Sequence, residues 1–244
     1  MNALLAFDTA TEQMSIAVAL ADRVWTHEAA GGALASASLI PAILALLARA
    51  GVGLRELDAI AFGRGPGAFT GLRTACSVAQ GLAFGANKPV LPIDTLLTVA
   101  EDARAGQPAW QGWVTLDARM DEIYAGHYRF ASGQWQVLAA PRLTTPLALN
   151  TLWQAAPPGV VAGNALAIFG DRLRLSGAVR MPGAWPRAAA MLPLARQLVA
   201  QGGAVTAALA LPTYLRDKVA QTTAEREQTK AAKASGAPAG WGGA

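Results

Sequence analysis

The sequence predicts an α/β protein built from a duplicated unit, two α/β subdomains with a cleft between them. Three observations predict it. Asp8 and Asp117 each follow an apolar strand, "LLAF" and "WVTL", and each enters a short polar turn. Each turn leaves along another strand, "SIAVAL" and "IYAGHY". Strand patterns alternate with helical ones through both halves, as in α/β folds. The expected boundaries are an N-terminal subdomain over 1–103, a C-terminal subdomain over 104–220 and a mobile tail over 221–244.

The elements follow in order. "LLAFDTATEQMSIAVAL" reads as strand, polar turn, strand, and "RVWTHEAA" as a third strand. "LASASLIPAILALLARAG" is an amphipathic helix with Pro41 in its first turn and Gly51 as its stop. "ELDAIAFG" is a short buried strand. A glycine-rich loop follows, then a helix from Thr70 to Gly85. "KPVLPID" is a strand and "TLLTVAEDARAG" a helix. After "AGQPAW" the pattern restarts, with Glu12 of the first turn matching Asp121 of the second. "GQWQVLAAPRL" extends the sheet, "PLALNTLWQAA" is a helix and "GVVAGNAL" a strand and turn. "RAAAMLPLARQLVAQGG" is a helix ended by Gly202, and "LPTYLR" is extended. From Gln221 onward no apolar period remains.

Composition narrows the function. Of 244 residues 53% are hydrophobic and only 15% charged, against about 25% charged in ordinary domains. A chain so poor in charge covers apolar surface with a partner or reflects an alanine-rich composition. The net charge of +4 comes without a dense Lys/Arg cluster, so no nucleic-acid footprint is marked. A single cysteine, Cys76, excludes an internal disulfide and a cysteine-based zinc cage. His27 and His127 are far apart in sequence, which argues against a metallopeptidase and against any metal site. The N-terminus has no signal-peptide pattern, and "LIPAILALLA" is too short to span a bilayer, which takes about 18 residues. The expectation is a cytoplasmic protein without membrane attachment.

The stretches "LLAFDTATEQMSIAV", "FGRGPGAFTGLRTACSVAQGLAFG", "LDARMDEIYAG" and "PTYLRDKVA" together resemble the bacterial TsaB (YeaZ) family. The resemblance runs from Leu4 to Ala220, and its most specific element is the G-R-G-P-G-x-F-T-G-x-R run. It implies the actin-like (ASKHA, ribonuclease H-like) fold. It also implies a part in making threonylcarbamoyladenosine beside the anticodon of tRNAs that read codons beginning with A. In that family the protein is not the transferase but the partner of its catalytic relative TsaD, with the ATPase TsaE joining them. ATP and threonylcarbamoyl-AMP are then used by the complex, tRNA is met through the complex, and the isolated chain can pair with itself. One departure is visible: relatives often begin their first helix with His followed by Ser or Thr, where this chain reads "ALASAS".

The cleft looks degenerate. Active actin-like ATPases bring small residues to the phosphates and use acids to orient Mg²⁺ and water. "DTAT" offers Asp8, Thr9 and Thr11 but no glycine, and "DARM" puts Arg119 and Met120 beside Asp117. "AGNA" offers only Gly163. These are candidate residues for weak nucleotide binding; the alternative is that Asp8 and Asp117 brace their turns. No catalytic residue is assigned. An independent actin-like ATPase or kinase is the rival reading. A dinucleotide-binding oxidoreductase is another: Gly63, Gly65 and Ala68 match G-x-G-x-x-A, and Asp94 ends the next strand. Pro66 removes a donor from that cradle, and Thr70 can instead cap the helix.

The helix after the loop carries small residues in two ridges. Gly71, Ala75, Ala79 and Ala83 form one, and Ser77, Gly81 and Gly85 the other. Gly81 inside a helix costs about 1 kcal/mol relative to Ala, which close approach of another helix would explain. With Val78 and Leu82, these ridges are the expected partner surface for TsaD. Packing within the monomer is the alternative.

Overall fold

The computed structural model describes residues 2–216; the expected tail over 221–244 lies outside them. The first half contains β1 (Ala3–Asp8), β2 (Gln13–Leu20), β3 (Arg23–Ala30), α1 (Ala35–Ala50), β4 (Ala59–Gly65), α2 (Phe69–Ala86), β5 (Val90–Asp94) and α3 (Thr95–Arg104). The second contains β6 (Trp110–Asp117), β7 (Ile123–Ala131), β8 (Gln134–Thr144), α4 (Pro146–Ala155), β9 (Val160–Ala162), α5 (Ala165–Phe169), β10 (Val179–Met181) and α6 (Ala188–Ala200).

The two sheets repeat one topology. The first runs β3-β2-β1-β4-β5 and the second β8-β7-β6-β9-β10 when read from its hairpin edge. In each, the first three strands are antiparallel and the last two join in parallel. This is the duplicated actin-like fold. β1 is buried along its whole length because both of its faces are covered. Leu5 and Phe7 point to a core shared with Leu39, Ile43 and Leu46 of α1 and Ala75 and Ala79 of α2. Leu4 and Ala6 point the other way, to Met191, Leu192 and Ala195 of α6.

The last helix of each half serves the other half. α6 covers the face of the first sheet opposite α1 and α2. Leu96, Val99, Ala100 and Ala103 of α3 pack into the core of the second, with Val114, Leu116 and Tyr128. This exchange ties the halves together and brings the ends of β1 and β6 side by side.

One local expectation changes. α1 is preceded by a 3-10 turn over Gly32–Leu34 and already begins at Ala35, so Pro41 falls inside the helix rather than in its first turn. Pro41 is exposed, where water can meet the carbonyl it leaves unpaired. The short β10 and α5 carry too few residues for a periodic signal. Gly51 does stop α1, at φ +71°, with its N–H on the carbonyl of Ala48 at 3.1 Å. Among the described residues no helix is long and apolar enough to cross a membrane.

Candidate functional site

The first hairpin encloses its acid. Asp8 ends β1 and is fully buried. Its Oδ1 accepts from the Ala10 N–H at 2.7 Å and its Oδ2 from the Thr95 hydroxyl, at the start of α3, at 2.9 Å. β4 passes so close that a Cβ on Gly63 would lie 1.8 Å from Asp8 Oδ2. Burial pushes the carboxyl up to about 6, against the opposing pull of those two hydrogen bonds. Thr9 is buried too, and its hydroxyl donates to the Gly71 carbonyl at 2.7 Å. The Thr11 hydroxyl is engaged with Gln13 of its own turn.

The second hairpin keeps its acid at the cleft. Asp117 Oδ1 accepts from the Arg119 N–H at 3.0 Å, and the Asp117 N–H donates to Asn164 Oδ1 at 2.9 Å. Arg119, Met120 and Asp121 are all left-handed, at φ +62°, +54° and +66°, a conformation that costs non-glycine residues energy. The Arg119 guanidinium reaches across to pair with Glu12 of the first hairpin and lies 3.5 Å from Asp117 Oδ2. The sequence match of Glu12 with Asp121 therefore does not carry over to their partners. Asp121 instead takes a two-pronged ion pair from Arg172, at 2.5 and 2.6 Å. Gly163 is not an open cradle. At φ +112°, its Cβ position would lie 2.1 Å from the Thr115 carbonyl, so it is a spacer against β6.

The structure brings Asp8, Thr9, Thr11, Asp117 and Arg119 into one region, and most of their polar atoms are spent on each other or on backbone. Thr95, Asn164, Glu12 and Arg216 complete it, and sequence reasoning missed them as partners; only the position of Thr95 directly after Asp94 hinted at a helix start. Among the described residues no group of three or more His, Cys, Asp or Glu is placed to hold a metal ion.

The glycine loop presses on protein. Gly65, at φ +114°, faces the Thr213 carbonyl, and a Cβ on Gly67 would lie 2.5 Å from Ala10 Cβ. The Ala68 N–H donates to the Ala10 carbonyl at 2.7 Å. Asp94, the acid of the dinucleotide reading, accepts from Arg64 Nε at 2.7 Å. Thr70 does not cap α2. The helix starts at Phe69 after Ala68, without a side-chain cap, and the Thr70 carbonyl accepts from Thr74.

The two small-residue ridges of α2 part company. Gly71, Ala75 and Ala79 face inward and are not partner residues: Ala75 and Ala79 are wholly buried against the first sheet. A Cβ on Gly71 would lie 1.9 Å from the Thr9 carbonyl. Small side chains here let helix and sheet approach closely. Ser77, Gly81 and Gly85 face outward and are exposed, with nothing within 4 Å of a Cβ at either glycine. Val78 and Leu82 are half-buried at the margin of the core. Phe84 is 86% exposed, and Ile40 and Leu44 of α1 are 43% and 47% exposed, beside the outward ridge. A cavity of about 450 Å³ lies beside it, lined by Ser36, Phe69, Thr70, Arg73, Thr74, Ser77 and Val78.

The chain is similar to known proteins. A family model for TsaD, tRNA N6-adenosine threonylcarbamoyltransferase, matches residues 33–168. The chain is 34% identical over 221 residues to the tRNA threonylcarbamoyladenosine biosynthesis protein TsaB of Escherichia coli, covering 89% of this chain and 96% of that protein. It is 35% identical to the TsaB of Haemophilus influenzae, covering 88% of this chain and 94% of that protein. A solved structure of YeaZ from Pseudomonas aeruginosa superposes with a TM-score of 0.78 at 38% identity, over 88% of this chain and 100% of that one.

Proposed function

This chain belongs to the TsaB family of tRNA threonylcarbamoyladenosine biosynthesis, and on that premise we propose that it is the non-catalytic subunit of the modifying complex. It acts with TsaD and TsaE, which use ATP and threonylcarbamoyl-AMP to place the threonylcarbamoyl group on N6 of the adenosine 3′ of the anticodon. The observation that carries the reading is the enclosure of Asp8. An acid that serves a phosphoryl-transfer site must orient a metal ion and water. Asp8 is fully buried, with its oxygens on the Ala10 N–H and the Thr95 hydroxyl. That favours the subunit over an independent ATPase or kinase.

The outward ridge of α2, Ser77, Gly81 and Gly85 with Val78 and Leu82, is the surface we assign to TsaD. Its glycines leave open space where a second helix can come close. The test is reconstitution with each protein omitted in turn. This chain alone is expected to modify no tRNA, and the transferase little without it; robust modification by this chain alone overturns the reading. Gly81→Leu sharpens the test. Overpacking a close helix contact costs about 1–3 kcal/mol, and about 1.4 kcal/mol is a tenfold loss of affinity. The variant should melt like wild type and bind TsaD at least tenfold more weakly, with activity recovered at higher TsaD concentration. Normal binding would move the interface off this ridge.

A further inference from the structure

Residues 210–216 follow the last helical turn without regular secondary structure, yet they touch α2, the glycine loop and the second hairpin. The Ala210 carbonyl accepts from Cys76 Sγ at 3.0 Å and Gln80 Nε2 at 2.9 Å, both on α2. The Thr213 N–H donates to the Arg64 carbonyl of the glycine loop at 2.7 Å. The Tyr214 ring lies 5.3 Å from that of Phe69, at the start of α2. Its hydroxyl accepts from Arg73 Nε at 3.4 Å, while the Arg73 guanidinium sits 3.7 Å over the Phe69 ring. Leu215 then packs against the core of the second half.

Arg216 ends the run on the second hairpin. It donates to the Ala118 carbonyl at 2.8 Å and the Arg119 carbonyl at 3.3 Å, and it pairs with Glu122 at 2.6 Å. Both side chains of that pair are largely buried, at 14% and 20% exposure. The hairpin needs such holding. Three successive left-handed non-glycine residues form its turn, and strained backbone persists only where its surroundings over-determine it. From there Arg119 reaches Glu12 of the first hairpin.

We propose that residues 210–216 are a strap that couples the outer surface of α2 to the second hairpin. Its sensing end is the Phe69–Arg73–Tyr214 cluster. Tyr214 is 43% exposed, and Phe69 and Arg73 line the cavity beside the outward ridge, so a molecule lying there meets them directly. Its acting end is Arg216. Only Leu215 separates the two ends, so a shift of the Tyr214 ring displaces Arg216 from its carbonyls. The turn over 118–122, left-handed at 119–121, then keeps the Arg172–Asp121 pair and the Arg119 contacts with Asp117 and Glu12 but loses the clamp on its two leading carbonyls. The coupling is a property of the isolated chain, so its failure leaves the proposed function standing.

Hydrogen exchange on the full-length chain tests it. The reporters are the N–H groups of Ala118, Arg119 and Glu122, which bond to Glu122, Asp117 and Arg119 within the turn. Tyr214→Ala touches none of these atoms. It should speed exchange in the turn at least tenfold while amides of β1 and β6 stay protected. Arg216→Ala should do the same, and Tyr214→Phe, which keeps the ring contact, should exchange like wild type. Turn exchange unchanged in Tyr214→Ala while Arg216→Ala speeds it would overturn the coupling. No effect of Arg216→Ala would overturn the clamp itself. Uniformly faster exchange through β1 and β6 in Tyr214→Ala would make Tyr214 a general stability residue and also overturn the coupling.

Discussion

Asp8 and Asp117 stand at the same place in the two copies, each closing the central strand of its sheet, but Asp8 is fully buried while the Asp117 side chain keeps 10% of its surface exposed. Around Asp8 every contact is intimate. β4 lies against its carboxyl, the Thr95 hydroxyl binds it, and α2 begins close enough that Gly71 meets the Thr9 carbonyl. Around Asp117 the contacts are longer and more polar: Arg119, Asn164 and, beyond them, Glu12. A duplicated unit thus puts one plan to two uses. The first hairpin became a packing element that seats α2 and α3. The second remained at the cleft, held by arginines. The acid that sits deepest holds its proton more tightly, because taking a carboxylate out of water favours its neutral form.

The largest effect that can break this comparison is at Gly71. A Cβ there would sit 1.9 Å from a backbone oxygen, which no side-chain rotation relieves. Gly71→Ala should destabilise by about 3 kcal/mol, the upper end of overpacking costs, measured by denaturant unfolding. Gly81→Ala on the same helix has open space and should stabilise by up to about 1 kcal/mol, the difference in helix propensity. Similar effects at the two positions would mean that α2 does not seat on the first hairpin as described.

Next is the pH dependence of Asp8. Its carboxyl titrates near 6 in the folded protein and near the ordinary 3.8 once unfolded, so the folded state holds the proton more tightly. The stability tied to that proton is complete below about pH 4, is lost as pH rises through 6, and is constant above. Holding a proton more tightly by that margin is worth about 3 kcal/mol. Asp8→Asn keeps the shape and removes the charge; its amide can donate to the Thr95 hydroxyl while its oxygen still accepts from Ala10. Measured against Asp8→Asn, wild type should lose stability by up to about 3 kcal/mol between pH 4 and pH 7. A flat difference would mean that the carboxyl is solvated and the hairpins are alike.

The duplication itself was legible in the sequence, because an Asp at the end of an apolar strand, followed by a polar turn and a second strand, recurs. So was the order of most elements, since long strands and helices repeat their periods many times. The exchange of α3 and α6 between the halves was not. Both are ordinary amphipathic helices, and a stripe such as Leu96, Val99, Ala100 and Ala103 does not say which sheet it covers. Which faces of α2 its small residues serve was not legible either. Small residues permit close approach to anything, and Gly71, Ala75 and Ala79 use it on their own sheet, whereas Ser77, Gly81 and Gly85 leave it open. The bond of Asp8 to Thr95 spans most of the first half in sequence, and no local pattern encodes it.

The smallest effect sharpens the comparison from the other side. Arg119 and Glu12 pair across the cleft, but their side chains are 66% and 76% exposed. Exposed ion pairs are worth about 0.2–1 kcal/mol, because water screens the charges and two long side chains must be ordered. A double-mutant cycle with Arg119→Ala and Glu12→Ala isolates that pair, because the contact of Arg119 with Asp117 is lost in both Arg119→Ala and the double variant and cancels. The coupling energy should fall within that range and shrink as salt is raised, since exposed charges are screened over a Debye length of about 10 Å at 0.1 M. Asp8 should behave in the opposite way. There the carboxylate is buried, salt cannot reach it, and its pH dependence should persist at high ionic strength. A coupling above about 2 kcal/mol, or one insensitive to salt, would mean that the cleft closes tightly over Arg119. The second hairpin would then be as enclosed as the first, and the division of labour between the two copies would fail.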